Sequence, residues 1–116
     1  MPTVRWDITA NVIEGKIYVT GGFNLNIGAN ALDTFDVYDP SNDTWAITQN
    51  MPDASLGHAA AVVNNRIYKI GGMGVLEQLD TIHKYVYEYN PFAQPPTSVS
   101  PKGKLSEQWG QLKAHN

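Results

Sequence analysis

Three histidines and several acidic residues are the side chains of this sequence whose types could bind a metal or catalyse a reaction. Glu77, Asp80 and His83 are spaced by three residues, which would bring them to one face of a helix. The surrounding sequence predicts no helix there, and His58 and His115 have no second ligand at a metal-binding spacing. We therefore expect no metal site at these positions.

Asp36, Asp39 and Asp43 carry oxygen ligands of the kind that calcium prefers, but the glycine and terminal glutamate of a helix-loop-helix site are missing. Capping of a turn explains Asp39 and Asp43. No set of Ser, His and Asp has a nucleophile signature, and Gly71-Gly72-Met73-Gly74 opens no helix that could bind phosphate. We expect no catalytic residue, no metal and no cofactor.

Composition predicts one folded domain. The chain has 116 residues, of which 42% are hydrophobic and 16% are charged. The net charge is −3, and no basic cluster could neutralise a run of phosphates, so we expect no nucleic-acid partner. The absence of cysteine excludes a disulfide scaffold, a thiolate metal site and a cysteine nucleophile.

No stretch of this chain approaches the ~20 apolar residues that a membrane helix needs, so we expect no membrane partner. The N-terminal residues form no apolar leader, and no signal peptide is visible. A cytoplasmic location is the default expectation.

The sequence is an internal repeat with a period of about fifty residues, which is typical of propeller blades and solenoids. A shift of fifty places Ala10 on Ala60, Val12 on Val62, Ile17-Tyr18 on Ile67-Tyr68 and Gly21-Gly22 on Gly71-Gly72. One further residue of shift places Tyr38 on Tyr89 and Pro40 on Pro91. Short β-branched and aromatic runs between Gly, Asn and Pro turns make the unit β.

Each unit is predicted to hold four strands. In unit 1–50 these lie at about Ile8–Ile13, Lys16–Gly21, Thr34–Asp39 and Thr44–Ile47. In unit 51–116 they lie at about His58–Val63, Arg66–Gly71, Thr81–Tyr89 and Glu107–Lys113. Glu14-Gly15 and Asn64-Asn65 tolerate positive φ, so the first two strands of each unit should form tight hairpins.

An insertion interrupts the second unit. Trp45 follows Tyr38 by seven residues, whereas Trp109 follows Tyr89 by twenty. The inserted residues, at about 92–105, contain three prolines and are predicted to form a loop, with a proline-rich ligand as the alternative.

These motifs resemble the kelch repeat, in which a diglycine ends a strand and a tyrosine and a tryptophan follow. The resemblance covers nearly the whole chain and implies an all-β fold of two four-stranded antiparallel blades of a β-propeller. It implies packing roles within and between blades for the motif residues. These are Gly21, Gly22, Tyr38, Trp45, Gly71, Gly72, Tyr89 and Trp109.

Two blades cannot close a ring, because propellers typically have four to eight. We expect self-association, with a six-bladed trimer ahead of an eight-bladed tetramer. The alternative is that the chain is a truncated propeller fragment without independent function.

The resemblance implies a non-catalytic scaffold that binds a protein through loops on one face. In such propellers the contacts come from the loop after the diglycine and the loop before the innermost strand. By position these residues are Arg5, Trp6, Phe23, Asn24, Asn26, Ser55, Leu56, Met73 and Glu77. Arg5 and Trp6 are the strongest candidates, since both residue types are enriched at binding hot spots.

The alternative function is a carbohydrate-binding or carbohydrate-active, epimerase-like propeller. Resemblance to galactose oxidase fails at its chemistry, because the copper site of that enzyme depends on a tyrosine cross-linked to cysteine and this chain has no cysteine.

Overall fold

A computed structural model describes residues 4–26, 28, 30–75, 82–83, 85–92 and 109–112. These residues form two four-stranded antiparallel sheets in which consecutive strands are neighbours. The first sheet contains β1 (Thr9–Ile13), β2 (Lys16–Thr20), β3 (Phe35–Asp39) and β4 (Thr44–Ile47). The second contains β5 (Ala59–Val63), β6 (Arg66–Ile70), β7 (Val86–Tyr89) and β8 (Trp109–Leu112). The described part of the chain holds no helix long and apolar enough to cross a membrane.

The tight hairpins form as predicted, because both central residues of each turn adopt positive φ. These angles are 50° at Glu14 and 78° at Gly15, and 52° at Asn64 and 58° at Asn65. Positive φ at both positions gives a turn whose twist matches that of the flanking strands. The two hairpins therefore have the same register in both sheets.

The outer strands also match between the sheets. Tyr38 pairs with Trp45 across β3 and β4, and Tyr89 pairs with Trp109 across β7 and β8. Trp109 thus rejoins the second sheet at the repeat position, although its separation from Tyr89 is thirteen residues longer than that of Trp45 from Tyr38. The predicted loop at about 92–105 lies outside the described residues from position 93 onward.

One predicted boundary is wrong. The sequence placed the third strand of the second unit from Thr81, but β7 begins at Val86. Ile82 makes only an isolated bridge to Met73, and the amide of His83 donates to the carbonyl of Gly72 at 2.8 Å. These bonds tie the segment to the end of β6 instead of continuing the β-ladder.

The main core lies between the two sheets, where side chains from both form one apolar cluster. Its buried members are Ile13, Tyr18, Phe35, Met51, Ile67, Tyr87, Tyr89 and Trp109. The first strands of the two sheets, β1 and β5, are also in contact. The sheets therefore pack face to face like neighbouring blades of a propeller.

Gly21 lies at a close approach between the two units of the chain. A Cβ at this position would be 2.4 Å from the carbonyl oxygen of Ser55 and 2.6 Å from Cε1 of His58. The neighbouring amide of Gly22 donates to that same carbonyl at 2.8 Å. Only glycine fits this approach at the observed φ of 65°.

Candidate partner-binding site

Two loops of the first sheet, the one before β1 and the one after β2, are joined edge to edge. Trp6 and Phe23 exchange backbone hydrogen bonds of 2.9 Å in both directions. The edge of one ring faces the other at a centroid distance of 5.7 Å and an interplanar angle of 74°. Phe23 is buried in a small second cluster with Ala31 and Leu56, so it supports the loops from below.

The joined loops form an open pocket of about 220 Å³ lined by Val4, Trp6, Asn24, Leu25 and Asn26. Three of these residues, Trp6, Asn24 and Asn26, are among those that the sequence predicted to contact a partner. The indole of Trp6 exposes 59% of its surface, and the side chains of Val4 and Leu25 are exposed as well. The structure thus brings predicted residues from two separate loops into one largely apolar concavity.

Asn24 holds the shape of this pocket. Its Nδ2 donates to the carbonyl of Val4 at 2.9 Å, and its Oδ1 accepts the amide of Asn26 at 2.9 Å. The second bond is a local side-chain turn that fixes the backbone after the diglycine. Because both ends of the Asn24 amide are engaged within the loops, this residue organises the pocket and offers little to a ligand.

Arg5 does not line the pocket, which corrects the expectation that its guanidinium reaches a partner. Its Nη2 is 2.6 Å from Oδ2 of Asp36, and the two side chains are 0% and 1% exposed. Its Nη1 donates to the carbonyls of Gly21 at 3.0 Å and Thr34 at 3.2 Å. A buried arginine needs such partners, and here they are supplied by the strand ends of the first sheet.

The predicted contact residues of the second unit are placed differently from those of the first. Ser55 and Leu56 are buried, and Leu56 exchanges backbone hydrogen bonds of 3.0 Å with Met73, which is half-buried. This bridge repeats that of Trp6 and Phe23 without an exposed aromatic ring. Glu77 lies outside the described residues.

A buried polar cluster that the sequence reasoning missed lies between the sheets. The side chain of Lys69 is fully buried, and its Nζ is 3.3 Å from Nδ1 of His83 and 5.6 Å from the ring centroid of Tyr87. Oγ of Ser55 is 2.9 Å from the same nitrogen. Burial lowers the pKa of Lys69 to about 8, although the charge of Asp53 opposes this shift.

His58 extends this cluster into the first sheet. Its Nε2 lies 3.0 Å from the hydroxyl oxygens of Thr9 and Thr20. Burial lowers the pKa of His58 to about 4, and the charges of Lys69 and His83 act in the same direction. His58 is therefore neutral at pH 7 and links the two sheets by hydrogen bonds. One feature of the sequence could have indicated this cluster. Lys69 occupies in β6 the repeat position of Val19 in β2, which is buried, so a buried lysine could be expected there.

The described residues hold no group of three or more His, Cys, Asp or Glu side chains that could bind a metal ion. His83 is described, but its two predicted neighbours, Glu77 and Asp80, lie outside the described residues. Ser55 and Lys69 are fully buried and His83 is half-buried, so the hydroxyl of Ser55 is not exposed to a substrate.

The two sheets are blades of a β-propeller. The fold is similar to the solved structure of YjhT, a propeller protein, with a TM-score of 0.64 and 18% sequence identity. The similarity covers 75% of this chain and 35% of the YjhT chain.

The model of the kelch motif matches residues 7–52 and again residues 54–91. The chain belongs to the kelch-repeat family. It is 32% identical to Kelch-like protein 25 of Xenopus tropicalis over 106 residues, which cover 87% of this chain and 18% of that protein. It is 31% identical to Kelch-like protein 26 of Danio rerio over 86 residues, which cover 73% of this chain and 14% of that protein. The chain thus spans less than a fifth of the length of these relatives.

Proposed function

We propose that this pair of kelch blades is a non-catalytic module that binds a protein through the pocket around Trp6. The observation that carries the proposal is the convergence of Trp6, Asn24 and Asn26 from two loops onto one exposed concavity. A rigid sheet positions both loops, which is how binding surfaces are commonly built. The similarity to Kelch-like proteins also favours protein-protein interaction.

The chemistry of the pocket favours an apolar side chain of a partner over a sugar. A sugar needs polar groups that converge on its hydroxyls, whereas both ends of the Asn24 amide already bond within the loops. Val4, Trp6 and Leu25 instead offer exposed apolar surface. An exposed tryptophan in such a setting is a typical binding hot spot.

Selection of peptides from a phage-displayed library on the immobilised chain tests this function. The selected peptide is then measured by biolayer interferometry against wild type, Trp6→Ala and Phe92→Ala. Phe92 is the matched control, because it is an aromatic residue that is 58% exposed, follows β7 of the second sheet and does not line the pocket. Trp6→Ala should weaken binding at least about tenfold, while Phe92→Ala should leave it unchanged.

Equal loss of affinity in both variants, or in neither, would contradict the role of the Trp6 pocket. Circular dichroism of each variant establishes that the fold is retained. The same interferometry with immobilised neutral and sialylated oligosaccharides tests the sugar alternative, which predicts binding that Trp6→Ala removes.

We further propose that copies of the chain associate to complete a propeller. Two blades alone expose a blade-facing surface on each side, and repeat units of this kind generally need more neighbours for stability. The aligned part of this chain covers 35% of YjhT, so roughly three such pairs would span a ring of that size. Light scattering coupled to size exclusion should give a mass near three times 12.8 kDa, and a monomer at all concentrations would contradict this assembly.

A further inference from the structure

The two blades carry the same aromatic pair, but only one of the pairs is covered. The ring centroids of Tyr38 and Trp45 are 4.9 Å apart at 43°, and those of Tyr89 and Trp109 are 5.0 Å apart at 47°. Trp109 exposes 3% of its surface, whereas Trp45 exposes 37%. The pair of the first blade is therefore a preformed apolar contact surface that the described chain leaves partly open.

The covered pair shows what fits on such a surface. Phe35 of the first blade lies 4.5 Å from Tyr89 and 5.4 Å from Trp109 between ring centroids. Tyr18 lies 6.0 Å from Tyr89, and Ile13 belongs to the same buried cluster. These three side chains belong to the face that the first blade presents to the second, and Val37 packs against the same cluster.

The second blade carries the counterparts of these three residues on its own outer face. By the repeat register they are Val63 for Ile13, Tyr68 for Tyr18 and Val86 for Phe35. Val63 is 54% exposed, and the other two are half-buried. We propose that the face formed by Val63, Tyr68 and Val86 docks on the Tyr38–Trp45 pair of a second copy; this inference rests on the assembly proposed above.

The diglycines give independent support for this surface. A Cβ on Gly21 would collide with the carbonyl of Ser55, which belongs to the neighbouring blade. At Gly71 the nearest atom to such a Cβ is the carbonyl oxygen of His83, at 3.9 Å. The second blade thus keeps the positive φ of a close approach, 69°, at a place where the described residues supply no atom nearer than 3.9 Å.

A second copy is the occupant that these features fit, because one chain carries both halves of the contact. The internal packing of the first blade on the second supplies the template, and the outer face of the second blade carries the counterparts of its three residues. At the position of Val37 the second blade has Glu88, whose carboxylate accepts a hydrogen bond from Tyr68 at 3.0 Å. The contact is head to tail, so successive copies rotate in one direction and can close a ring.

Two variants that each remove one half of the contact test the proposal. Trp45→Ala removes the aromatic surface, and Val86→Asp places a charge on the opposing face. Light scattering coupled to size exclusion should give the associated mass for wild type and a mass near 12.8 kDa for each variant alone. Phe92→Ala changes an exposed residue that belongs to neither half of the proposed contact, and it should keep the wild-type mass.

Mixing the two variants gives the decisive result. Each retains the half that the other has lost, so the mixture should form a 1:1 complex of about twice 12.8 kDa that does not grow further. Near-UV circular dichroism confirms that each variant is folded. If Val86→Asp does not fold, Val63→Asp, at an exposed position of the same face, takes its place.

The outcomes separate this surface from the proposed assembly. A monomeric wild type overturns both. A wild type that associates while Trp45→Ala keeps the same mass overturns this surface alone. Association of Val86→Asp with itself also overturns this surface, because the variant lacks one of the two halves of the proposed contact.

Discussion

The two blades share one backbone plan but build their buried polar centres from different residues. In the first blade the cation is Arg5, which comes from the loop before β1 and pairs with Asp36. In the second blade the cation is Lys69, which comes from β6 and lies against His83 and the ring of Tyr87. Tyr87 occupies in β7 the position of Asp36 in β3.

This difference shows which positions the repeat fixes. The turns and the diglycines recur with similar backbone angles, and the aromatic pairs recur with nearly equal ring distances. A buried cation needs only partners within reach, so it can enter from a loop or from a strand. A residue type in a kelch loop therefore does not by itself indicate contact with a ligand.

The largest expected effect is the loss of the first cation. Arg5→Ala leaves the Asp36 carboxylate buried without its guanidinium and should lower the free energy of unfolding by about 3–5 kcal/mol. Urea denaturation followed by tryptophan fluorescence measures this change.

Arg66→Ala is the control, because Arg66 forms a 3.5 Å pair with Glu88 in which the side chains are 46% and 24% exposed. Its cost should stay below about 1 kcal/mol. Equal losses in the two variants would refute the structural role assigned to Arg5.

The next effect separates the covered diglycine from the open one. Gly21→Ala should lower the free energy of unfolding by about 2–3 kcal/mol more than Gly71→Ala, because only the first forces a Cβ into the neighbouring blade. The two glycines have nearly equal φ, 65° and 69°, so the backbone strain cancels.

Both glycine variants are measured in the Trp45→Ala background, so that association of copies does not contribute. Gly15→Ala reports strain alone, since Gly15 has a φ of 78° and no atom within 4 Å of an added Cβ. It should cost about 1 kcal/mol. A cost of Gly71→Ala equal to that of Gly21→Ala would mean that packing between blades is not the reason for the diglycine.

The smallest effect is the pH dependence of the contact between the blades. The pKa of His58 is lowered from 6.5 to about 4 in the folded chain. Between these values the unfolded chain binds a proton that the folded chain does not, so stability falls as the pH falls. Between pH 7 and pH 5 the loss should be about 2 kcal/mol.

His58→Gln lacks this titration and should lose about 2 kcal/mol less than wild type over the same pH range. Urea denaturation at each pH supplies the values. Thr9, Thr20, Lys69 and His83 face His58 in both proteins, so their contributions are common to the comparison. Parallel pH profiles for the two proteins would show that another group titrates.

Much of the fold could be predicted from the sequence because its signals are local. Positive φ at Glu14-Gly15 and Asn64-Asn65 follows from residue type, and the hairpins follow from the turns. The start of β7 could not be predicted in this way. It depends on bonds from the segment of Ile82 and His83 to the end of β6, which are not local in the sequence.

The candidate site was only partly predictable, since a loop position does not fix the direction of a side chain. Trp6 and Arg5 are adjacent in sequence, yet one is exposed at the pocket and the other is buried against Asp36. Arg5 is the buried one of the two because Asp36, its partner, lies in β3, and the position of β3 next to this loop is not visible in the local sequence.

The sequence by itself determined the family, the two four-stranded sheets and the residues at their turns, because each follows from residue type and repeat spacing. Only the tertiary structure decided which loop residues share a pocket, which cations are buried and which aromatic pair is covered. Those properties depend on contacts between segments far apart in the chain. Identical motifs such as Gly21 and Gly71 acquire different surroundings, because the described residues place a neighbouring blade against Gly21 and leave Gly71 with no contact nearer than 3.9 Å.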